Sequence, residues 1–176
     1  LRRVGVYVPG GRATYPSSLI MGVVPAMVAG VGEVVVISPA GPNGVDPTVL
    51  AAAGLLGVEE IYAIGGAQGV AALAHGTETV RPVDKIVGPG GPWVTAAKLA
   101  IYGECAVDLP AGPSEAVVVA DASADPEVAA ADVLCQAEHG EESLVVLVAI
   151  GTGVAPPIVE SIERRVVGLE RESIIR

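Results

Sequence analysis

Short runs of apolar residues alternate along the chain with longer apolar segments of helical length, and Gly or Pro separates them. The short runs are rich in Val and Ile, which is typical of β-strands, and those that are continuously apolar indicate burial on both faces. We predict strands at residues 4–8, 33–38, 60–64, 85–87, 116–120 and 143–150, with a short extended piece at 105–108. We predict helices at residues 16–29, 47–56, 67–75, 93–102 and 158–169, and one that begins at 126 and includes 130–140.

Two of the predicted helices begin with the same dipeptide. Asp46-Pro47 and Asp125-Pro126 each place an N-cap carboxylate before a Pro at the first helical position, which is a strong start signal. Pro25 has the opposite meaning, because a Pro inside a helix kinks it or divides it in two.

The alternation of strands and helices predicts an α/β fold: a three-layer αβα arrangement with a mostly parallel, Rossmann-like sheet built from βαβ units. We predict one Rossmann-like unit at residues 1–115 and a second βαβ unit at 116–176. In such sheets ligands bind beyond the carboxyl ends of the strands. The glycine-rich turns after Tyr7, Ile64 and Val87 should lie there, and the loop that contains Ser114 should lead toward the same side.

Composition excludes several classes of partner. The net charge is −10 with 10 Lys and Arg residues, which argues against nucleic acid because phosphate binding needs a basic face. No apolar run approaches the roughly 20 residues of a membrane span. Cys105 and Cys135 are the two cysteines and imply no disulfide framework, so a reducing cytoplasm fits best. The chain begins without Met and ends on Ile-Ile-Arg, which we interpret as an internal part of a longer protein.

Three strand-to-helix turns are candidates for ligand binding: Pro9-Gly10-Gly11, Gly65-Gly66-Ala67-Gln68 and Gly88-Pro89-Gly90-Gly91. Gly allows close approach of the backbone, and the helix that follows favours an anion at its N-terminus. None of the turns is a G-x-G-x-x-G fingerprint, and tight turns need Gly for structural reasons alone. Gln68 can offer a donor and an acceptor to a ligand, or bond its own backbone. The ring of Tyr7 can flank a planar base, or pack with Val6 and Val8.

The stretch from Ala130 to Gly140 contains Cys135, Gln136, Glu138 and His139. Gln136 and His139 are three residues apart, so on a helix they share one face and form a plausible half of a metal site. They cannot complete one, because a catalytic zinc takes three protein ligands and keeps an open position. A capping or surface His explains the same pattern.

Together these segments resemble the histidinol dehydrogenase family. The similarity follows family order, extends from Leu1 to about Ile150, and is most specific in its last two segments. The matching segments are residues 6–11, 65–68 with 71–74, 83–90, 108–115 (Asp-Leu-Pro-Ala-Gly-Pro-Ser-Glu) and 136–140 (Gln-Ala-Glu-His-Gly).

The resemblance implies a homodimeric, zinc- and NAD-dependent enzyme that oxidises L-histidinol to L-histidine through an aldehyde, with two NAD+. It implies NAD contacts for Tyr7 and Gln68, substrate contacts for Ser114, Gln136 and His139, and zinc ligation by Gln136 and His139. It gives Cys135 no role.

Two departures from the family pattern matter. Gly91 stands where the family has an Asn that contacts NAD, and the acid–base pair of the family, in a Gly-Pro-Glu-His segment, has no counterpart in these 176 residues. The chain alone is therefore expected to contain no catalytic acid or base and not to oxidise histidinol. The alternatives are a related dehydrogenase for another small alcohol, a non-catalytic Rossmann-like nucleotide-binding module, and a structural α/β domain whose Gly turns only shape the fold.

Overall fold

The chain folds as two compact units, Leu1–Pro110 and Ala111–Arg176. The computed structural model describes residues 1–10, 13–109 and 114–176. The division between the units and the predicted division after residue 115 both fall in the Pro- and Gly-rich segment 109–115.

Five parallel strands form one sheet in the first unit. They are β1 (Arg3–Tyr7), β2 (Glu33–Ile37), β3 (Glu60–Tyr62), β4 (Lys85–Val87) and β5 (Ala106–Val107). Their order across the sheet is β3-β2-β1-β4-β5, and every neighbouring pair is parallel. The strand order therefore reverses next to the fully buried central strand β1, and such a switch point is where open α/β sheets bind ligands.

Helices cover both faces of this sheet, which confirms the predicted three-layer α/β fold. The helices are α1 (Pro16–Val28), α2 (Pro47–Leu55), α3 (Gly66–His75) and α4 (Pro92–Ala100). The alternating side chains of β1 divide between two cores: Val6 belongs to the cluster of α1 and α2, and Tyr7 belongs to the cluster of α3 and α4. The core is mainly aliphatic, with Tyr7 as its buried aromatic residue, and the sequence has no Phe.

The predicted helix starts are confirmed in atomic detail. The Asp46 carboxylate accepts a 2.8 Å hydrogen bond from the Thr48 N–H, and Asp125 accepts one of 2.8 Å from the Glu127 N–H. The division of the first helix at Pro25 is wrong, because α1 is continuous through it. The missing N–H of Pro25 removes one intrahelical bond, and α1 ends three residues later, at Val28.

The second unit is a βαβ unit followed by two helices. Its elements are β6 (Glu115–Ala120), α5 (Pro126–Ala137), β7 (Leu144–Ala149), α6 (Ala155–Val166) and α7 (Glu172–Ile175). β6 and β7 pair in parallel over their full length. The core lies between this sheet and the helices, around Ala130 and Ile158, while Val117 and Val119 leave the opposite face apolar and exposed. The sequence pattern did not predict α7.

Among the described residues, no helix combines the length and the apolar content that a membrane span requires.

Candidate functional site

Tyr7, at the carboxyl end of the central strand, connects two of the glycine-rich turns. Its hydroxyl oxygen accepts a 3.0 Å hydrogen bond from the backbone N–H of Gly66. Its backbone carbonyl oxygen lies against Gly88 so closely that an added Cβ there would be 2.1 Å away. The turns that follow β1, β3 and β4 therefore meet at one edge of the sheet, as the alternation of strands and helices predicts.

The ring of Tyr7 is a core side chain. The residue is 4% exposed and belongs to the buried cluster that includes Ile37 and Leu73. Of the two alternatives for this ring, packing with Val6 and Val8 does not occur, because those residues belong to the cluster on the opposite face of the sheet. The bond from Gly66 occupies a lone pair of the hydroxyl oxygen and does not use the hydroxyl hydrogen.

Gln68 lies in the first turn of α3, and its side chain is exposed. It folds back over Gly66, so that its amide atoms lie 2.8 and 3.2 Å from the position of an added Cβ on that glycine. Gly66 has a φ of +67°, a conformation that Gly adopts without strain. The N-cap Gly65 provides no side-chain bond to the helix, so N–H groups at this helix end can bind an anion.

An ion pair forms hydrogen bonds to the turn after β4. Lys98 Nζ lies 2.6 Å from Asp108 Oδ1 and also donates to the carbonyl oxygen of Gly88. Asp108 Oδ2 accepts a 2.7 Å hydrogen bond from the N–H of the same glycine. Both polar backbone groups of Gly88 are therefore fixed by charged side chains.

Gly91, the N-cap of α4, provides no side-chain cap bond either. Its φ is −71°, and no atom lies within 4 Å of the position that a Cβ would take. The Cβ of an Asn, the residue that the resemblance places here, would therefore meet no neighbouring atom.

The turn after β1 is described in part, because Gly11 lies outside the described residues. Gly10 approaches the carbonyl oxygen of Pro39, 3.2 Å from the position of an added Cβ. A cavity of about 360 Å³ opens beside it, between the ends of β1 and β2. Its wall includes the Asp46 carboxylate, which bonds to Thr14 Oγ1 at 2.7 Å and to the N–H of Thr48. The hydrogen bonds from Thr14 and Thr48 lower the pKa of Asp46, so this carboxylate already has partners.

The second unit places its three candidate residues at the amino edge of β6 and β7. Ser114 directly precedes β6, and its carbonyl oxygen accepts a 3.1 Å bond from the N–H of Leu144, the first residue of β7. Gln136 lies at the C-terminal end of α5, which runs back toward that edge. Ser114 therefore lies at the amino edge of β6, while the segment that leads to it follows β5. Residues 110–113 of that loop lie outside the described residues.

His139 is not on the helix with Gln136. α5 ends at Ala137, and His139 follows in a turn in which its N–H bonds to the carbonyl oxygen of Gln136 at 3.2 Å. The prediction that both side chains share a helical face is wrong at this point. The turn nevertheless keeps the two residues adjacent.

The strongest charge network of the first unit lies at the opposite, amino edge of the sheet. The buried Arg3 guanidinium binds Glu33 and Glu60, each at 2.6 Å, and Arg81 binds the same two carboxylates. Hydrogen bonds from Arg3 and then Arg81 lower the pKa of Glu60 to about 2. This network stabilises the starts of β1, β2 and β3 and is remote from the glycine turns.

Comparison with known proteins identifies the family. The family model described as histidinol dehydrogenase matches residues 1–176, which is the whole chain. The chain belongs to the histidinol dehydrogenase family.

Two curated histidinol dehydrogenases are each 51% identical to the chain. The protein of Haloarcula marismortui matches 100% of the chain and 42% of its own length, and that of Methanothermobacter thermautotrophicus matches 98% and 41%. The crystal structure of histidinol dehydrogenase from Elizabethkingia anophelis superposes on 98% of the chain with a TM-score of 0.93 and 41% identity, over 40% of its own chain. The chain thus spans about two fifths of the length of the histidinol dehydrogenases that it matches.

The donor atoms of Gln136 and His139 fit one half of a zinc site. His139 Nδ1 lies 2.8 Å from the carbonyl oxygen of Cys135. A carbonyl oxygen only accepts, so Nδ1 donates and Nε2 of the neutral ring keeps its lone pair for a metal. Gln136 Nε2 is buried and has no hydrogen-bond partner among the described residues. It is an amide N–H donor and cannot ligate a metal, so the atom of Gln136 that offers a lone pair to zinc is the amide oxygen. Within that part of the chain, no group of three or more His, Cys, Asp or Glu side chains forms a metal site.

Three residues that shape these histidinol dehydrogenase turns were not predicted from the sequence. Lys98 follows the buried Val94 by four positions on α4, so helical periodicity already points it inward. Asp108 stands between two apolar residues but gives no local sign of its partner. Arg171 donates a 3.0 Å bond to the carbonyl oxygen of Glu138, beside His139, and no signal in the sequence pairs these distant positions.

Proposed function

We propose that the chain forms the nucleotide-binding part and half of the zinc site of a histidinol dehydrogenase, which oxidises L-histidinol to L-histidine through the aldehyde with two NAD+. The family membership supports the reaction. One observation supports the NAD site: Tyr7 contacts two glycine turns at once. Its hydroxyl oxygen bonds to the N–H of Gly66, and its backbone carbonyl oxygen lies against Gly88.

NAD would bind at the carboxyl edge of the five-stranded sheet. The glycines let the backbone approach the pyrophosphate, and the N-termini of α3 and α4, which lack side-chain caps, favour its negative charge. Gln68 can hydrogen-bond the nucleotide in both directions, and the Tyr7 hydroxyl can donate to it. NAD+, when bound, accepts the hydride of the substrate.

The substrate and the zinc would bind in the second unit. His139 Nε2 and the amide oxygen of Gln136 would ligate the metal and contact the substrate, and the hydroxyl of Ser114 would hydrogen-bond the substrate. Zinc, when bound, supplies Lewis acidity at the substrate oxygen. The hydrogen bond to the Cys135 carbonyl oxygen orients the His139 ring for this role. The chain's own residues bind and orient, and we assign none of them as the catalytic acid or base.

The proposal also covers the cellular setting and the partners. A cytoplasmic location suits the two unpaired thiols. The acidic balance of the chain disfavours nucleic acid as a partner, and the proposed partners are L-histidinol and a second subunit in a homodimer. No membrane association is proposed.

Calorimetric titration of the 176-residue chain with NAD+ tests the nucleotide site. We expect saturable binding that weakens about tenfold in Gln68→Ala, because one or two hydrogen bonds to the ligand are lost. Glu78→Ala, an exposed change at the opposite edge of the sheet, serves as the control and should leave the affinity unchanged. Absence of saturable binding to the unaltered chain would instead favour a structural α/β domain.

Titration with Zn²⁺ tests the half-site independently of NAD. His139→Ala should weaken zinc binding by about tenfold or more, because a nitrogen ligand is lost. His75→Ala is the matched control, since His75 is the second of the two histidines and lies exposed at the end of α3. Equal affinities of the unaltered chain and His139→Ala would reject the assignment of His139 as a ligand.

A further inference from the structure

Lys98 is a buried cation beneath the turn after β4. It is 4% exposed, and a buried lysine is tolerated only with a partner because desolvation of the ammonium is costly. That partner is Asp108, which follows β5, at 2.6 Å. The N–H of Asp108 bonds to the carbonyl oxygen of Ile86 at 3.1 Å, so the carboxylate is attached to the sheet and not to a free loop.

The other hydrogen bonds of this ion pair both involve Gly88. Lys98 Nζ donates to the carbonyl oxygen of Gly88, and Asp108 Oδ2 accepts from the N–H of Gly88 at 2.7 Å. The two charged groups therefore fix both peptide planes that flank this glycine. Gly88 has a φ of +113°, where Gly has wide freedom in the absence of such restraints.

We propose that Lys98 and Asp108 are positioning residues that hold the Gly88–Gly91 turn in the geometry needed to bind a nucleotide pyrophosphate. The inference rests on the proposed NAD site. The turn consists of three glycines and a proline, so it has no large side chain of its own with which to hold its shape. A flexible turn loses conformational entropy when it binds a ligand, and a turn ordered in advance avoids that loss.

Stability alone does not account for this arrangement. An isolated buried ion pair contributes little net stability, and apolar residues of similar size often replace it without loss. The pair also does more than fill space, because its hydrogen bonds restrain the peptide groups on both sides of Gly88. The two roles can therefore be separated by removing the charges while keeping the volume.

The test is calorimetric titration of the full 176-residue chain with NAD+, together with thermal unfolding of each variant. The main variant is Lys98→Met/Asp108→Leu, which keeps the buried volume and removes both bonds to Gly88. We expect the variant to stay folded at the assay temperature, with a melting temperature lowered by the loss of two hydrogen bonds to Gly88, and an NAD+ dissociation constant raised about tenfold or more. Arg81→Met, which breaks ion pairs at the opposite edge of the sheet, is the control and should leave the dissociation constant unchanged.

A folded double variant that binds NAD+ as tightly as the unaltered chain overturns the inference and leaves the proposed NAD site intact. If the unaltered chain does not bind NAD+, the proposed function fails and this inference fails with it. Should the double variant not fold, Asp108→Asn takes its place. It keeps an acceptor for the Gly88 N–H but withdraws the charge that holds Lys98, so unchanged NAD+ affinity in that variant also overturns the inference.

Discussion

Among the described glycines, Gly88 is the one where an added methyl group should lower the free energy of unfolding most. An added Cβ would lie 2.1 Å from the carbonyl oxygen of Tyr7 and 3.0 Å from its carbonyl carbon. These atoms belong to the backbone of the central strand, so they cannot move aside as a flexible side chain would. The φ of +113° adds strain, because residues with a Cβ rarely adopt it.

The expected cost of Gly88→Ala follows from these two effects. A residue with a Cβ in a sparsely populated conformation costs about 1–3 kcal/mol, and overpacking a close contact costs about the same. The total of roughly 2–6 kcal/mol is a large part of the 5–15 kcal/mol that is typical of a folded domain. Urea unfolding followed by circular dichroism measures this loss.

Gly54→Ala is the matched control for this prediction. Gly54 lies inside α2, and an added Cβ there would have no atom within 4 Å. The same change should therefore stabilise the first unit by about 0.5–1 kcal/mol, because Ala favours a helix interior over Gly. If Gly88→Ala destabilised the chain by less than about 1 kcal/mol, Gly88 could not be packed against Tyr7 as described.

Three further measurements test other parts of the first unit. Gly91→Asn should raise the free energy of unfolding by a few tenths of a kcal/mol, because Asn caps α4. It should also tighten NAD+ binding roughly two- to tenfold through a new hydrogen bond. An unchanged NAD+ affinity in calorimetry would remove position 91 from the site. The folded-state pKa of Glu60, about 2, lies below the ordinary value of 4.5, so its stabilising contribution is complete above pH 4.5 and is lost as the pH falls toward 2. Glu60→Gln should flatten that part of a stability profile against pH, and an unchanged profile would contradict the role of Arg3. Asp46→Ala should cost about 0.5–2 kcal/mol in urea unfolding, because Thr48 loses its cap, and a neutral result would contradict that bond.

Local interactions explain what the sequence could predict. The caps at Asp46 and Asp125 join residues two apart, so the dipeptide alone determines where α2 and α5 begin. The apolar runs predicted the strands for the same reason. The strand order β3-β2-β1-β4-β5 depends on pairing between distant segments, and no local pattern contains it.

The candidate site shows the same division. Tyr7 and Gln68 could be named from the sequence, but the choice between a ligand contact and simple packing for Tyr7 could not be made there. That question depends on Gly66, 59 positions away, whose N–H occupies the hydroxyl oxygen. Lys98 was missed for a similar reason, because its partner Asp108 and its target Gly88 come from other elements. For His139 the error was local, since the helix ended before it.

The contacts of Tyr7 and Gly88 explain how separate turns can act as one site. Tyr7 bonds to the turn before α3 through its hydroxyl and supports Gly88 through its carbonyl oxygen. Gly88 is held in turn by Lys98 and Asp108. A shift of the central strand would therefore move two helix N-termini together. The spacing between the N-terminal ends of α3 and α4, which we propose as the pyrophosphate site, is therefore set by the core of the sheet and not by the loops. The proposed pyrophosphate site needs that fixed spacing, and flexible glycine turns without these contacts would not supply it.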